Sequence, residues 1–199
     1  MKRTIDITVS LTGLVFLAPV MGVVALLVAA CMGRPVLFSQ IRPGRDLVPF
    51  TIYKFRSMRP EEPSGSHRAD AARLTRLGRV LRRASLDELP QLVNILKGDM
   101  SLVGPRPLLE HYVPYFTDEE RHRFNVRPGL TGWAQIHGRN RTAWSERLAM
   151  DVWYVSHRSL VLDLRILGIT ARRVLGGKDV VKDANTVMAD LDVERKGQA

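Results

Sequence analysis

The feature that most constrains this chain lies at its start. From Ile7 to Gly33 there is no charged residue, and the run is rich in Leu, Val, Ala and Phe. Such a run is long enough to enter a bilayer. As one straight helix it would measure roughly 40 Å, more than the ~30 Å hydrocarbon core. Pro19 falls within it, removing a backbone hydrogen bond and crowding the carbonyl four residues earlier, so a kink is expected at Ala18 and Pro19. Three topologies compete. Lys2 and Arg3 before the run, with Val28-Ala29-Ala30-Cys31 near its end, loosely fit a signal peptide. A spanning helix is the second. The third is a kinked re-entrant helix with both ends cytoplasmic, favoured by basic residues on both flanks: Lys2 and Arg3, then Arg34, Arg42 and Arg45. Asp6, so close to apolar surroundings, requires a partner, for which Arg3 is the candidate.

At 199 residues and 45% hydrophobic, the chain is long enough for one compact domain with an appendage. The expected division is an anchor over residues 1–33, a main body over 34–176 and a polar tail over 177–199. Cys31 is the single cysteine, so no intramolecular disulfide forms and a reducing, cytosolic setting fits. The net charge of +10 predicts attraction to polyanions: nucleic acid, anionic lipid headgroups or phosphorylated substrates.

Along the body, Val36 to Gln40 and Leu47 to Met58 read as strands around a turn at Arg42-Pro43-Gly44-Arg45, and Pro60 to Asp70 as a loop. Ala71 to Arg83 spaces Leu74, Leu77 and Leu81 against Arg73, Arg76, Arg79 and Arg83, giving a basic amphipathic helix. Ser85 and Glu88 fit a capping box, and a helix over Gln91 to Lys97 stops at Gly98. Met100 to Val103 is extended, Leu108 to Phe116 reads as a helix, and Thr117 with Glu120 offers another capping box. The segment Arg127 to Gln135 is turn-rich, then extended. Two helices, Thr142 to His157 and Leu160 to Leu175, split near Ser159. The fold class is therefore α+β: mainly helical with a small sheet or short strands, a kinked re-entrant membrane helix and interfacial amphipathic helices.

Asp87 and Glu88 sit beside a helix N-terminus, where adjacent carboxylates are more often caps or solvated charges than catalysts. Their neighbours in sequence point further. Arg82 and Arg83 lie just upstream, Arg106 follows a Gly-Pro turn, and Lys54 and Arg56 come from the second strand. Together these could bind several phosphate oxygens. A carboxylate attacking a phosphate needs such screening, commonly from a metal as well.

The run Ser85-Leu86-Asp87-Glu88-Leu89-Pro90-Gln91-Leu92, then Asn94, then Gly98-Asp99-Met100-Ser101-Leu102-Val103-Gly104-Pro105-Arg106-Pro107, resembles the signature of the monotopic bacterial sugar transferases, the polyprenyl-phosphate phosphoglycosyl transferases. Lys2-Arg3 with Asp6, Tyr53-Lys54-Phe55-Arg56-Ser57-Met58, Arg127 to Gln135, and Tyr154 with Ser159 and Asp163 support the resemblance, which covers Lys2 to about Leu175. It implies transfer of a sugar-1-phosphate from a UDP-sugar to a polyprenyl phosphate such as undecaprenyl phosphate, with release of UMP. This would be the first membrane step of bacterial glycoconjugate biosynthesis, on the cytoplasmic face of the inner membrane. By motif position Asp87 is the nucleophile and metal ligand, Glu88 its catalytic partner and Mg²⁺ the cofactor. Arg106, Arg82, Lys54 and Arg56 are the expected phosphate ligands, and Arg127, Trp133 and Gln135 weaker candidates for the nucleotide.

The resemblance also favours the re-entrant anchor. Its members break that helix at a Ser-Pro pair, where this chain has Ala18-Pro19. Relatives often carry further membrane helices and a further domain, so the expectation is a minimal catalytic form, with residues 34–176 as the catalytic domain and a homodimer admitted as an assembly. His111, His122 and His137 lack metal-ligand spacing, and Asp151 and Asp163 are expected to pair with nearby arginines. Two rivals remain: a membrane-tethered basic binding protein, and an enzyme transferring the sugar without its phosphate. Against the first, no aromatic residues interleave with the arginines and no nucleic-acid motif is present, so no nucleic-acid partner is expected.

Overall fold

The computed structural model describes residues 1–60, 73–137, 143–176 and 191–196. The expected loop after Pro60 and most of the polar tail lie outside these residues. The apolar run forms one helix, α1 (Lys2–Met32), which continues through Pro19. The expected break at Ala18-Pro19 therefore does not interrupt the helix, because one missing hydrogen bond leaves the bonds of the neighbouring turns in place. At about 1.5 Å per residue α1 is roughly 46 Å long. Only a stripe of it is covered: Asp6, Ser10, Val24 and Val28 are buried, while Leu11, Val15, Phe16, Val23 and Leu26 stand exposed. An uncovered apolar face of this extent is what a lipid-facing surface looks like.

β1 (Leu37–Pro43) and β2 (Pro49–Phe55) form an antiparallel hairpin. Phe38 faces Lys54, Gln40 faces Ile52 and Arg42 faces Phe50, so these six side chains share one face. The second strand is shorter than expected because Arg45–Leu47 closes a 3-10 turn, with Asp46 and Leu47 at positive φ. Next comes α2 (Arg76–Arg83), capped by Thr75, whose hydroxyl accepts from the Gly78 amide at 2.9 Å. That cap starts the helix later than the leucine spacing predicted. Leu81 and Gly78 face inward, and Arg76, Arg79, Arg82 and Arg83 face out. A Cβ on Gly78 would lie 1.9 Å from the Ser57 carbonyl oxygen, so only glycine lets α2 lie against that backbone.

A 3-10 turn over Leu86–Glu88 leads into α3 (Gln91–Lys97), which ends at Gly98 with φ 96°. β3 (Ser101–Val103) and β4 (Gly129–Thr131) pair in parallel. Beyond β3, the Gly104 amide donates to the Thr131 carbonyl and the Gly129 amide to the Pro105 carbonyl, both at 2.9 Å. A Cβ on Gly104 would sit 2.4 Å from the Arg127 carbonyl oxygen, so the turn carrying Arg106 depends on this close approach. Glu110–Tyr115 is 3-10 helix with Pro114 inside rather than the expected α-helix; proline there cannot donate the bond an α-helix requires.

The Thr117–Glu120 capping box forms as expected and opens α4 (Asp118–Arg121), followed by a 3-10 turn over His122–Asn125. α5 (Trp133–His137) replaces the expected extended segment. α6 (Trp144–His157) and α7 (Leu160–Leu175) divide at Ser159, whose hydroxyl caps α7. A short α8 (Leu191–Lys196) follows. Among the described residues the chain is thus mainly helical, with two small two-stranded sheets.

The core around Ile95, Met100, Val103, Tyr154 and Ile166 receives Ile5, Leu14 and Leu17 of α1. A separate cluster joins Val24 and Val28 of α1 to Phe55 and Leu81. Both halves of α1 are therefore part of the fold. Asp6 accepts from the Ser101 hydroxyl at 3.1 Å and the Leu102 amide at 3.0 Å, not from Arg3. Arg3 donates instead to the Ile95 and Leu96 carbonyls, in the last turn of α3, where carbonyls lack intrahelical partners and attract a cation. Lys2 pairs with Asp163 at 2.6 Å, and the Tyr154 hydroxyl donates to the same carboxylate at 2.6 Å. Asp163 thus takes a lysine where an arginine was expected; Asp151 does take an arginine, Arg123, at 2.9 Å.

Candidate active site

Ser85 adopts a left-handed conformation (φ 54°) and its side chain caps nothing. The expected Ser85–Glu88 capping box is absent, because an N-cap needs extended backbone and because Glu88 is engaged elsewhere. The turn sends the two carboxylates to different fates. Glu88 receives the Lys54 ammonium at 2.7 Å and the Arg106 guanidinium at 2.6 Å, both on Oε1. Asp87 is buried, yet among the described residues no donor is hydrogen-bonded to its carboxylate.

The electrostatics divide in the same way. Burial alone would push Glu88 up, but Arg106 and Lys54 together outweigh it and hold the carboxyl at about 2. Asp87 moves the other way: burial first, then the neighbouring Glu88 charge, raise it above the usual carboxylate range, against the pull of Lys54, Arg82 and Arg106. Glu88 is a fixed anion, and Asp87 a carboxylate whose charge is poorly satisfied. Lys54 is lowered by burial and by Arg106, with Glu88 opposing.

Each partner is placed by the surrounding elements. Lys54 reaches Glu88 from the hairpin face. Asn94, fully buried in α3, holds that hairpin by donating to the Thr51 carbonyl at 2.7 Å and accepting from the Tyr53 amide at 3.2 Å. Arg82 is steered by its Nε bond to the Ser57 hydroxyl at 3.0 Å, close enough for its charge to act on Asp87. Arg106 extends from the Gly104-Pro105 turn, and Arg123 donates to its carbonyl at 2.7 Å while paired with Asp151.

Lys54, Arg82 and Arg106 are therefore brought together around Asp87 and Glu88, and the other expected ligands are not. Arg56 turns away, donating to the Met32, Gly33 and Arg34 carbonyls at the end of α1. Residues 54 and 56 lie on one side of β2 and its continuation, but the helix end offers Arg56 carbonyls that lack intrahelical partners. Arg127 donates to the Gly98 carbonyl at 2.7 Å. Trp133 stacks on Trp153 at 4.5 Å between centroids, and Gln135 donates to the Leu130 carbonyl at 3.1 Å. None of these three contacts reaches Asp87 or Glu88.

Asn94 and Ser57 stand in the motif runs, yet nothing in the sequence assigns them their positioning roles. Arg42, which reads as a membrane flank, lies on the hairpin face with Lys54.

Mg²⁺ favours one or two carboxylates together with waters and substrate phosphates over an all-protein cage. Asp87, whose carboxylate takes no hydrogen bond among the described residues, fits that pattern. Glu88, whose Oε1 is held by both Lys54 and Arg106, is the less available of the two.

A long apolar helix packed on a body that gathers Lys54, Arg82 and Arg106 around the Asp87–Glu88 carboxylate pair suits the class of enzymes that act on phosphorylated substrates. More particularly, residues 1–177 match the model of the bacterial sugar transferase family, and the chain belongs to that family. It is 46% identical over 191 residues to the uncharacterized sugar transferase EpsL of Bacillus subtilis, covering 96% of this chain and 94% of that one. It is 42% identical over 178 residues to the UDP-glucose:undecaprenyl-phosphate glucose-1-phosphate transferase of Caulobacter vibrioides, covering 83% and 66%. With the UDP-N-acetylgalactosamine-undecaprenyl-phosphate N-acetylgalactosaminephosphotransferase of Aeromonas hydrophila it shares 40% identity over 185 residues, 88% of this chain but 44% of that protein.

Proposed function

We propose that this chain transfers a sugar-1-phosphate from a UDP-sugar to undecaprenyl phosphate and releases UMP, through a covalent phosphosugar on Asp87. The observation that carries this reading is the contrast between the paired carboxylates. Lys54 and Arg106 fix Glu88, while Asp87 takes no hydrogen bond among the described residues and is raised by burial and by Glu88 against the pull of Lys54, Arg82 and Arg106. A nucleophile needs those properties. The named relatives from Caulobacter and Aeromonas supply the donor and acceptor classes.

In the first half-reaction an Asp87 oxygen attacks the sugar-bearing phosphorus, the bond to the oxygen bridging the two phosphates breaks, and UMP departs with that oxygen. In the second, a phosphate oxygen of the lipid attacks the same phosphorus, the acyl-phosphate bond breaks and Asp87 regains its carboxylate. Arg106, Lys54 and Arg82 hold the phosphoryl oxygens in place and offset their charge. A magnesium ion on Asp87 would supply further charge neutralisation for the diphosphate.

The lipid acceptor requires a membrane site, and the exposed apolar face of α1 supports one. In this reading α1 enters the cytoplasmic leaflet of the inner membrane as a re-entrant element that bends near Pro19 without losing its helical continuity, with Lys2 at its start and Arg34 just beyond its end on the cytoplasmic side. The arginines of α2 suit contact with anionic headgroups.

Incubating the enzyme with UDP-sugar and Mg²⁺ but no acceptor tests the chemistry. One equivalent of UMP and a phosphosugar adduct on the Asp87 peptide are expected. Release of UDP once undecaprenyl phosphate is added would instead establish transfer of the sugar alone and end this reading.

A further inference from the structure

Arg106 reaches Glu88 from a stretch without regular structure. Residues 105–109 are neither helix nor strand, and the Arg106 side chain is 40% exposed, so packing alone does not fix its direction. Two hydrogen bonds tether the backbone there. The Gly129 amide donates to the Pro105 carbonyl at 2.9 Å, and the Arg123 guanidinium donates to the Arg106 carbonyl at 2.7 Å. These two carbonyls flank the Arg106 Cα. Pro107 follows and biases Arg106 toward extended backbone, so a tether on each side sets where its side chain starts.

The Arg123 tether is made in a buried place. Arg123 is 2% exposed and Asp151 5%. Arg123 Nε and one terminal nitrogen both donate to Asp151 Oδ2, at 3.2 and 2.9 Å, and the same terminal nitrogen reaches the Arg106 carbonyl. The guanidinium carbon lies 5.5 Å from the Phe116 ring centroid and 5.3 Å from that of Phe124, within the range of cation–π attraction. Phe116 ends one 3-10 segment, Phe124 belongs to the next, and Asp151 is carried by α6. Side chains from three segments thus aim one N–H at one backbone oxygen. A pair of charges buried this deeply gains little stability over apolar residues of the same size; what it supplies is fixed geometry. Arg123 is too well covered to meet a substrate, so its effect on the site runs through that oxygen.

We propose that Arg123 and Asp151 are positioning residues for Arg106: the buried pair holds the Arg106 carbonyl and so sets the direction from which the Arg106 guanidinium meets a phosphate beside Asp87. This role rests on the phosphate-binding function given to Arg106 in the preceding section. It demands an arginine at 123, because the planar fork serves Asp151 and the carbonyl together, whereas a lysine ammonium is a point charge on a flexible stem.

The test is a double-mutant cycle in the full chain, in detergent or nanodiscs, read by titration with inorganic pyrophosphate and by thermal melting. Arg123 binds the backbone oxygen of residue 106, so Arg106→Gln leaves that bond in place. A contribution of Arg123 to stability alone therefore lowers the thermal midpoint equally in both backgrounds. Its effect on affinity should not be equal. Arg123→Lys is expected to weaken pyrophosphate binding about tenfold with Arg106 present and less than about twofold in the Arg106→Gln background. Asp151→Glu keeps the pair but shifts the guanidinium, and should show the same split with a smaller loss. Phe116→Leu retains the ion pair and is the variant to use where the other two do not fold; its loss, about threefold, should again be confined to the background with Arg106. Equal losses in both backgrounds would overturn the positioning role, as would affinity within about twofold of the parent in a folded Arg123→Lys protein when Arg106→Gln itself binds weakly. Unchanged affinity in Arg106→Gln would remove that residue from phosphate binding, and the role of Arg123 with it. Wild-type enzyme that shows the split but releases no UMP from the donor would overturn the proposed reaction and leave the positioning role standing.

Discussion

At the residue scale, neighbouring carboxylates behave oppositely because one has two cations and the other has burial. Asp87→Asn keeps size and shape but cannot form an acyl phosphate, so turnover should fall by roughly 10³-fold or more with the thermal midpoint nearly unchanged. Rates near wild type in a donor-only burst assay would remove Asp87 from the mechanism. The pH dependence separates the pair. Glu88 is lowered in the fold from 4.5 to about 2, so the stability from its Lys54 and Arg106 pairs is fully present above the unfolded value. It is lost as pH falls from there toward the folded value. Melting curves of wild type and Glu88→Gln should therefore converge over that acidic range. Asp87, raised by burial and by Glu88, has the reverse sign: its ionisation weakens the fold as pH rises, while activity grows, because the carboxylate is the reacting form. The acid limb of activity should therefore follow Asp87 and not Glu88.

Elements matter here by how closely they approach. Gly78 brings α2 onto Ser57, which in turn steers Arg82. Gly78→Ala should cost at least about 2 kcal/mol, since a methyl group would overlap backbone that cannot move aside cheaply; urea denaturation would show it as a lower midpoint. Asn94→Ala strips partners from the Tyr53 amide and Thr51 carbonyl in a fully buried place, with an expected loss of about 2–3 kcal/mol. It should also loosen Lys54, raising the donor KM as well as lowering the midpoint. Elements set by local signals were legible in the sequence: the Thr117–Glu120 box, the Gly98 stop and the Ser159 division all rest on short-range hydrogen bonds. Where a distant partner decides, the local pattern misleads. Ser85 and Glu88 have a capping-box spacing, yet two cations from far along the chain claim Glu88. Arg56 stands beside phosphate-type residues, yet the end of α1 claims it. Arg42 looks like a flank until strand pairing sets it on the face with Lys54.

For the whole molecule, the question is how the apolar helix and the soluble body act as one object. The long motif run and the uncharged segment made the family and the long apolar helix readable from sequence. The joints between helix and body were not, because they link residues 95 and 161 positions apart: Asp6 to Ser101, Lys2 to Asp163. Asp163 is almost fully covered and Lys2 is 41% exposed. Asp163→Ala strips both Lys2 and Tyr154 of their partner and should lower the melting temperature clearly, whereas Lys2→Ala, with water available to the lost contact, should lower it much less. Equal effects would mean that the joint works through charge alone.

Arg56 gives the architecture a further meaning. It sits two residues after Lys54 and grasps the carbonyl end of the apolar helix. A catalytic head on a floppy tether would sample many heights above a lipid surface and meet its acceptor only in some of them. Here only Phe55 separates the grip on the helix from the lysine that fixes Glu88, so the fold ties the carboxylate pair to the end of the apolar helix, and in the proposed reaction a water-borne donor and a lipid-borne acceptor would meet at that one fixed plane.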